Sequence, residues 1–561
     1  MSIPAPSVER RAALIAAGLL TAGFLTLWLL LPDKTFVFDG VLFADVIERK
    51  GVDWRMSLYN PRHLLFNAAF QVFRDALSGL GVAVGAYRLV QVVNALAGAA
   101  GLWLFGGLLR RLADDDGVAV LGAAILGASW TFGTRATEGQ VYMLLAFGGL
   151  WTLWSAARLL EAPSNARALD LAAAFSLTVL FHVAGAFLAP AVLAALWLAF
   201  PSRRSLMLPA IGLAAGLILI PYYLHFAAQG LEALTSRTAE YYPAGDRGYW
   251  TGLFIGFWNR CGLTMWGRGL VSWKEAGRSL FLLPEGTAAA AGLTLWVTVA
   301  GALSGAWKVL DERRRNLACV LALAWAGFVF LNAFWCGGLF FSVIPAACLL
   351  ALLAAAAGPR LKALKPAARR GLVGALSAAV LAIGAWNARA GLWPQSLIEN
   401  NAAYDQALYI KAHTVPSSYI VIAGVVNSNL KVYIPSVAGR AREVLEYYFM
   451  ANSKGEGLAL LKFNLEDHAR FGIPLYILGE VLEDPSTVAE MRRMWGVSSS
   501  DIQGAFGPGR LVRMARRPDV TVYLFVPEKR RPELFVGLGY GVITEADIAR
   551  RQESVAALRM I

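Results

Sequence analysis

Charge is what this chain has least of. Only 16% of its 561 residues are Asp, Glu, Lys or Arg, against 57% hydrophobic ones, whereas a soluble domain is nearer one quarter charged. That scarcity excludes a disordered chain and argues strongly against an all-soluble one. The four cysteines (Cys261, Cys319, Cys336 and Cys348) form no CxxC pair, so they read as small core hydrophobes and not as a disulfide or zinc framework. No internal repeat and no low-complexity segment occurs. The excess of base over acid, 51 residues against 38 for a net charge of +13, could by itself indicate nucleic acid or an anionic surface.

Long apolar runs decide the matter. Stretches of about 20 residues, enough to cross a bilayer, recur at 12–31, 84–109, 117–134, 138–158, 168–184, 185–200, 206–226, 286–307, 316–334, 338–358 and 371–388, and then cease. The first is preceded by Arg10 and Arg11 and followed by Pro32-Asp33-Lys34 without a small-residue cleavage site, so it reads as a retained span. With the N-terminus inside, seventeen basic residues, among them Arg110, Arg111, Arg313, Arg314, Lys362 and Arg369, fall in short inner loops beside the spans, as the positive-inside rule requires. The +13 is therefore mainly a topology signal, with no nucleic-acid footprint. The sequence predicts an α-helical polytopic membrane protein of about eleven transmembrane helices. Residues 1–389 form the membrane domain, with outer loops 32–83 and 227–285.

Residues 390–561 differ, with 19 basic and 18 acidic side chains. Short β-rich runs at 419–423, 431–434, 474–478 and 520–526 alternate with helical patterns at 441–463 and 486–495. This is the pattern of a small soluble α/β domain, which the topology places outside the membrane. The Gly504–Gly509 stretch (GAFGPG) reads as a turn, not a phosphate cradle, because no helix clearly follows it.

Five outer elements carry residues suited to chemistry. Asp39-Gly40 follows the first span among Phe36, Phe38, Leu42 and Phe43. An apolar surround raises a carboxylate's pKa, a neighbouring cation lowers it, and a carboxylate so placed can take a proton from a hydroxyl; a helix cap is the plainer alternative. Asn60-Pro61-Arg62-His63 could bind phosphate through the arginine fork, or simply turn the chain into an amphipathic helix over 64–77 lying along the membrane face. The stretch from Ser129 to Tyr142 holds Arg135 and Glu138 at a span junction, either a functional acid or a salt-bridged pair. His182 ends the fifth span at the same expected depth. In the loop 227–285, Arg237, Tyr241, Tyr242, Arg247 and Arg260 are interleaved with Trp250, Trp258 and Trp266, suited to a lipid phosphate and a glycan, or to the interfacial aromatic belt.

The order of these elements resembles the GT-C membrane glycosyltransferases, in the branch of the protein O-mannosyltransferases and the lipid A aminoarabinose transferase. The likeness covers roughly 10–390 through topology and four short motifs. It implies transfer of a sugar, with inversion, from a polyprenyl-phosphate carrier on the outer face to a glycan, lipid or protein acceptor. It makes Asp39 the catalytic base, with Glu138 and His182 at the same cavity and Arg62, His63 and Arg135 facing donor phosphate or acceptor. A divalent ion (Mg, Mn or Zn) helps in some relatives; Glu138 and His182 are at most its ligands here. The chain departs from the pattern at Gly40, where many relatives carry a second acid, and at Phe181-His182, where some pair two histidines. Two readings compete: a transporter or flippase of lipid-linked glycans, which predicts inverted repeats and midplane charges, and a membrane-anchored assembly subunit. The Ala-, Arg- and Gly-rich composition points to a bacterial inner membrane with a periplasmic tail.

Overall fold

The computed structural model describes residues 8–36, 38–48, 58–60, 62–202, 204–229, 294, 297–302, 304–305, 307–308, 310–335, 341–425, 429–449, 452–507 and 509–527. The chain divides into two compact units, one ending at Leu397 and the other taking up the chain from Ile398.

In the first unit the apolar runs become helices: α1 (Val8–Leu30), α2 (Phe38–Glu48), α3 (Phe66–Gly79), α4 (Ala86–Ala113), α5 (Asp116–Ala128), α6 (Trp130–Thr137), α7 (Tyr142–Glu161), α8 (Asn165–Phe181), α9 (Ala189–Ala199), α10 (Leu208–Gln229), α11 (Glu312–Trp335), α12 (Val343–Lys362) and α13 (Pro366–Asn387). Seven of the described helices are long and apolar enough to span a bilayer, or eight if α5 and α6, bent by 64°, form one broken span. The remaining expected spans are accounted for individually. Those at 168–184 and 185–200 are the 17-residue α8 and the 11-residue α9 with its preceding 3-10 turn, both short of a straight crossing. The one at 286–307 lies largely outside the described residues.

The charges expected in the inner loops pair with one another across the helices. Glu161 is shared by Arg111 and Arg313, at 3.1 and 3.3 Å, and Asp114 by Lys362 and Arg314, at 2.6 and 3.4 Å, while Arg369 pairs with Asp115. Close helix contacts set the interior. A Cβ added at Gly148 would stand 2.5 Å from Thr178 Oγ1, and one at Gly149 2.5 Å from Ile344 Cδ1. Small residues thus let α7 sit directly on α8 and α12.

The break between α5 and α6 is a sequence effect. Ser129 Oγ donates to Leu126 O at the end of α5 and accepts Phe132 N–H at the start of α6, so one serine ends one helix and caps the next. Asn387 Nδ2 donates to the freed Ala128 carbonyl at 2.8 Å. Beyond α6 the chain is irregular from 138 to 141, where lipid would leave backbone groups without water. Two amides on one face of α4 supply the donors: Gln91 Nε2 to Asp33 O and Thr137 O at 2.6 and 2.9 Å, and Asn94 Nδ2 to Glu138 O and Gln140 O at 2.8 and 2.7 Å. Replacing Asn94 with Leu orphans two buried carbonyls and is expected to cost about 1–3 kcal/mol. Thermal unfolding of the detergent-solubilised protein checks this, and an unchanged midpoint contradicts it.

The second unit carries a five-stranded sheet of order β2-β1-β3-β5-β4, with β1 (Tyr419–Ile422), β2 (Ala441–Val444), β3 (Leu475–Leu478), β4 (Gly509–Arg517) and β5 (Val520–Pro527). The first three strands pair in parallel, and β5 pairs antiparallel with β3 and β4. The runs at 419–423, 474–478 and 520–526 are strands as expected. The run at 431–434 is not: Leu430–Tyr433 is a helical turn, fully buried against the sheet, so tertiary packing overrides its β-forming residues. The helical pattern expected over 441–463 opens instead with β2, and its helix runs over Lys454–Arg470 behind a Ser453/Glu456 capping box. Strand β4, rich in arginine, was hidden by its polarity. Of the stretch expected to turn at 504–509, Gly504 and Ala505 end the helix Ser499–Ala505, and Gly509 opens β4.

Candidate active site

Asp39 is half-buried in the first turn of α2, where the helix N-terminus favours a negative charge. The helix begins one residue earlier, so Asp39 is not its cap. Gly40 explains the missing second acid. A Cβ there would lie 2.8 Å from Gly139 O and 2.9 Å from the Tyr87 ring, and one on Gly139 would lie 2.5 Å from the same ring. The two glycines bring the start of α2 against the 138–141 turn, and so Asp39 towards Glu138.

The turn at 60–63 is built locally. Asn60 Oδ1 accepts Arg62 N–H at 2.9 Å, an Asx turn, and the segment then joins the end of α8. Val183 N–H donates to Arg62 O at 2.7 Å and Leu65 N–H to Leu180 O at 3.0 Å. These backbone bonds bring the two histidines together, with ring centroids 6.1 Å apart. His63 stacks edge-on against Phe43 at 4.5 Å, and His182 lies 5.6 Å from Tyr142 and 5.4 Å from Phe341. His182 Nδ1 accepts Ala184 N–H at 3.1 Å, so the neutral ring carries its proton on Nε2. The helix expected over 64–77 is α3, which buries Phe66, Asn67, Phe70 and Gln71 and exposes Val72.

Arg135 and Glu138 form a buried pair, with Nη1 donating to both carboxylate oxygens at 2.7 Å. The Arg135 guanidinium also stands 5.7 Å over the Tyr142 ring. Asp33 and Asp39 both act electrostatically on Glu138, and Asp39, Glu138, Arg135 and Arg62 on Tyr142. Burial pushes the Asp39 carboxyl above the usual carboxylate range, while the Arg62 charge pulls it back. Burial, aided by Arg62, lowers His63 to about 3, so its ring is neutral at physiological pH.

The structure therefore brings together Asp39, Arg62, His63, Arg135, Glu138 and His182. Tyr241, Tyr242, Arg247 and Arg260 lie outside the described residues. Three further members were not singled out from sequence. Asp33 is buried, accepts Thr35 N–H and Oγ1–H at 2.7 Å each, and is raised chiefly by burial; as a lone acid straight after the first span, it carried the same signal as Asp39. Tyr142 and Gln140 lay within the Ser129–Tyr142 stretch but carried no charge to draw notice.

No family model matches the sequence, and no curated protein matches it. Solved structures do. ArnT from Cupriavidus metallidurans bound to undecaprenyl phosphate aligns over 92% of this chain and 98% of its own, at 14% identity and a TM-score of 0.56. Its apo form aligns over 91% and 98%, at 13% identity and the same TM-score. The chain has the GT-C fold. The Archaeoglobus fulgidus oligosaccharyltransferase complex with zinc and sulfate aligns over 92% of this chain and 72% of its own, at 12% identity and a TM-score of 0.48.

A metal set built on Glu138 and His182 does not fit the residues present. Both Glu138 oxygens are engaged by Arg135, and His182 Nδ1 by a backbone N–H, which leaves one ring nitrogen. Among the described residues no three His, Cys, Asp or Glu side chains group as ligands.

Proposed function

We propose that the protein is an integral-membrane glycosyltransferase, moving a sugar from a polyprenyl-phosphate donor to a hydroxyl of a glycan, lipid or protein on the outer face. The observation that carries this reading is a half-buried, proton-avid Asp39 beside Arg62, at the end of an apolar bundle with the GT-C fold. The acceptor hydroxyl attacks the anomeric carbon opposite the phosphate. The new C–O bond forms as the bond to the phosphate oxygen breaks, which inverts the centre. Asp39 takes the hydroxyl proton late in the step. Arg62 offers a forked donor to the departing polyprenyl phosphate, whose charge grows in the transition state. Arg135 is spent on Glu138, and the pair holds the 138–141 turn against Asp39. An apolar cleft of about 820 Å³ between α1, α5 and α13, walled by Phe24, Leu121 and Val380, is of a size and polarity suited to hydrocarbon chains. The domain boundary near 389 and the outer placement of the tail belong to the same proposal.

The test is reconstitution of the full chain in liposomes with undecaprenyl-phosphate-linked sugars and envelope extracts as acceptor. The expected result is a new glycosidic bond of inverted configuration, with release of undecaprenyl phosphate. Movement of the intact lipid-linked sugar across the bilayer without transfer would overturn the reading in favour of a flippase.

A further inference from the structure

We propose that Gln140, packed against the start of α2 that carries Asp39, is a specificity-determining residue whose carboxamide reads a hydroxyl group of the transferred sugar. This role rests on the transferase reading above.

Among the described residues, two side chains have two buried polar atoms that both lack a hydrogen-bond partner: His63, at Nδ1 and Nε2, and Gln140, at Oε1 and Nε2. Both are more than nine-tenths buried. Native structures leave few such groups unexplained, yet both of these pack against α2, the helix that carries Asp39. Gln140 Cγ runs 3.3 Å from the position a Cβ on Gly40 would take, directly after Asp39. His63 stacks on Phe43, one helical turn beyond Asp39 on the same face of α2.

Other buried amides nearby behave differently. Gln91 and Asn94 spend their donors on backbone carbonyls. Gln140 is hydrogen-bonded through its backbone carbonyl, which accepts from Asn94, and the Gly139–Tyr87 contact keeps that backbone in place. The side chain is thus positioned without being used. A carboxamide offers one acceptor and two donors, and a neutral imidazole one of each. Such groups match sugar hydroxyls, which donate and accept at once. They do not match a phosphate, for which Arg62 provides the charge. The ligand chemistry is therefore the uncharged hydroxyl-bearing face of a sugar ring, to which the carboxamide and imidazole make their hydrogen bonds when it binds. A site built to hydrogen-bond a hydroxyl rejects analogues lacking it, because its own polar groups then stay unpaired.

The full-length protein in liposomes is offered undecaprenyl-phosphate-linked glucose, mannose, galactose and arabinose, and then the monodeoxy analogues of whichever sugar it uses. For the wild type, one analogue is expected to lose roughly 10²-fold or more in kcat/KM. Gln140→Leu loses a similar factor with the parent sugar and nothing further with that analogue, so its discrimination falls to near one. A merely structural role would lower turnover of all donors alike and leave the ratio intact, and that result overturns the proposal. Should the leucine variant not fold, Gln140→Glu, which keeps the length and an acceptor, carries the same ratio test. Wild-type protein that turns over none of the four donors overturns the transferase reading itself, and this role with it.

Discussion

Asp39→Asn is expected to abolish sugar transfer, with a fall of roughly 10²–10⁴-fold in kcat, the scale of one well-placed general base, while the protein still inserts and purifies as a folded species. Its stability is expected to equal or exceed that of the wild type. Burial raises the Asp39 carboxyl above its ordinary value, so the folded chain holds that proton more tightly than the unfolded one. Stability from this group is full below the ordinary carboxylate pKa and is lost as pH rises through the raised one. At neutral pH the ionised carboxylate is a cost to the fold, which the neutral amide avoids. Activity runs the other way. The base works only when ionised, so wild-type kcat/KM should fall as pH drops, with its midpoint above the usual carboxylate range. A variant with wild-type turnover, or a profile flat down to pH 4, would remove Asp39 from the reaction.

This opposition of stability and activity at one residue shows which features the sequence could carry. Asp39, Glu138 and His182 were legible because a titratable group beside an apolar run is costly wherever it lies. Arg62 and His63 were legible through the turn chemistry of Asn60. The succession of apolar helices was legible because charge is rare and its position therefore informative. Other features depend on who meets whom in space. Nothing in the residues around Gly40 says that its missing side chain admits the Gly139 carbonyl, nor that Gln91 and Asn94, one helical turn apart on α4, would complete the backbone of a turn some forty residues on. The bend at Ser129 interrupts an apolar run whose hydrophobicity is unbroken, so composition alone reads it as one span. In the tail, Leu430–Tyr433 is helical and Gly509–Arg517 extended against their local pattern, because the neighbouring strands and helices set the outcome.

Removing either partner of the Arg135–Glu138 pair should damage the fold more than any other single change near the site. The side chains are 8% and 1% exposed and joined by two hydrogen bonds of 2.7 Å. Arg135→Met leaves a carboxylate stranded with Asp33 and Asp39 close enough to repel it, and Glu138→Leu leaves a stranded guanidinium. Each is expected to cost about 3–5 kcal/mol, because an uncompensated buried charge remains. The double variant Arg135→Met/Glu138→Leu should recover most of that loss, since apolar side chains of similar volume replace the pair without desolvating a charge. Recovery of the fold should not bring recovery of turnover if the pair serves to hold the 138–141 turn against Asp39. Thermal midpoints of the three variants give the coupling energy, and transfer assays on the refilled double variant separate architecture from catalysis. Single variants as stable as the wild type would mean that the pair is solvated in the membrane. A double variant with full activity would mean that the turn needs no ionic clamp, and that the hydrogen bonds from Asn94 and Gln91 position it alone.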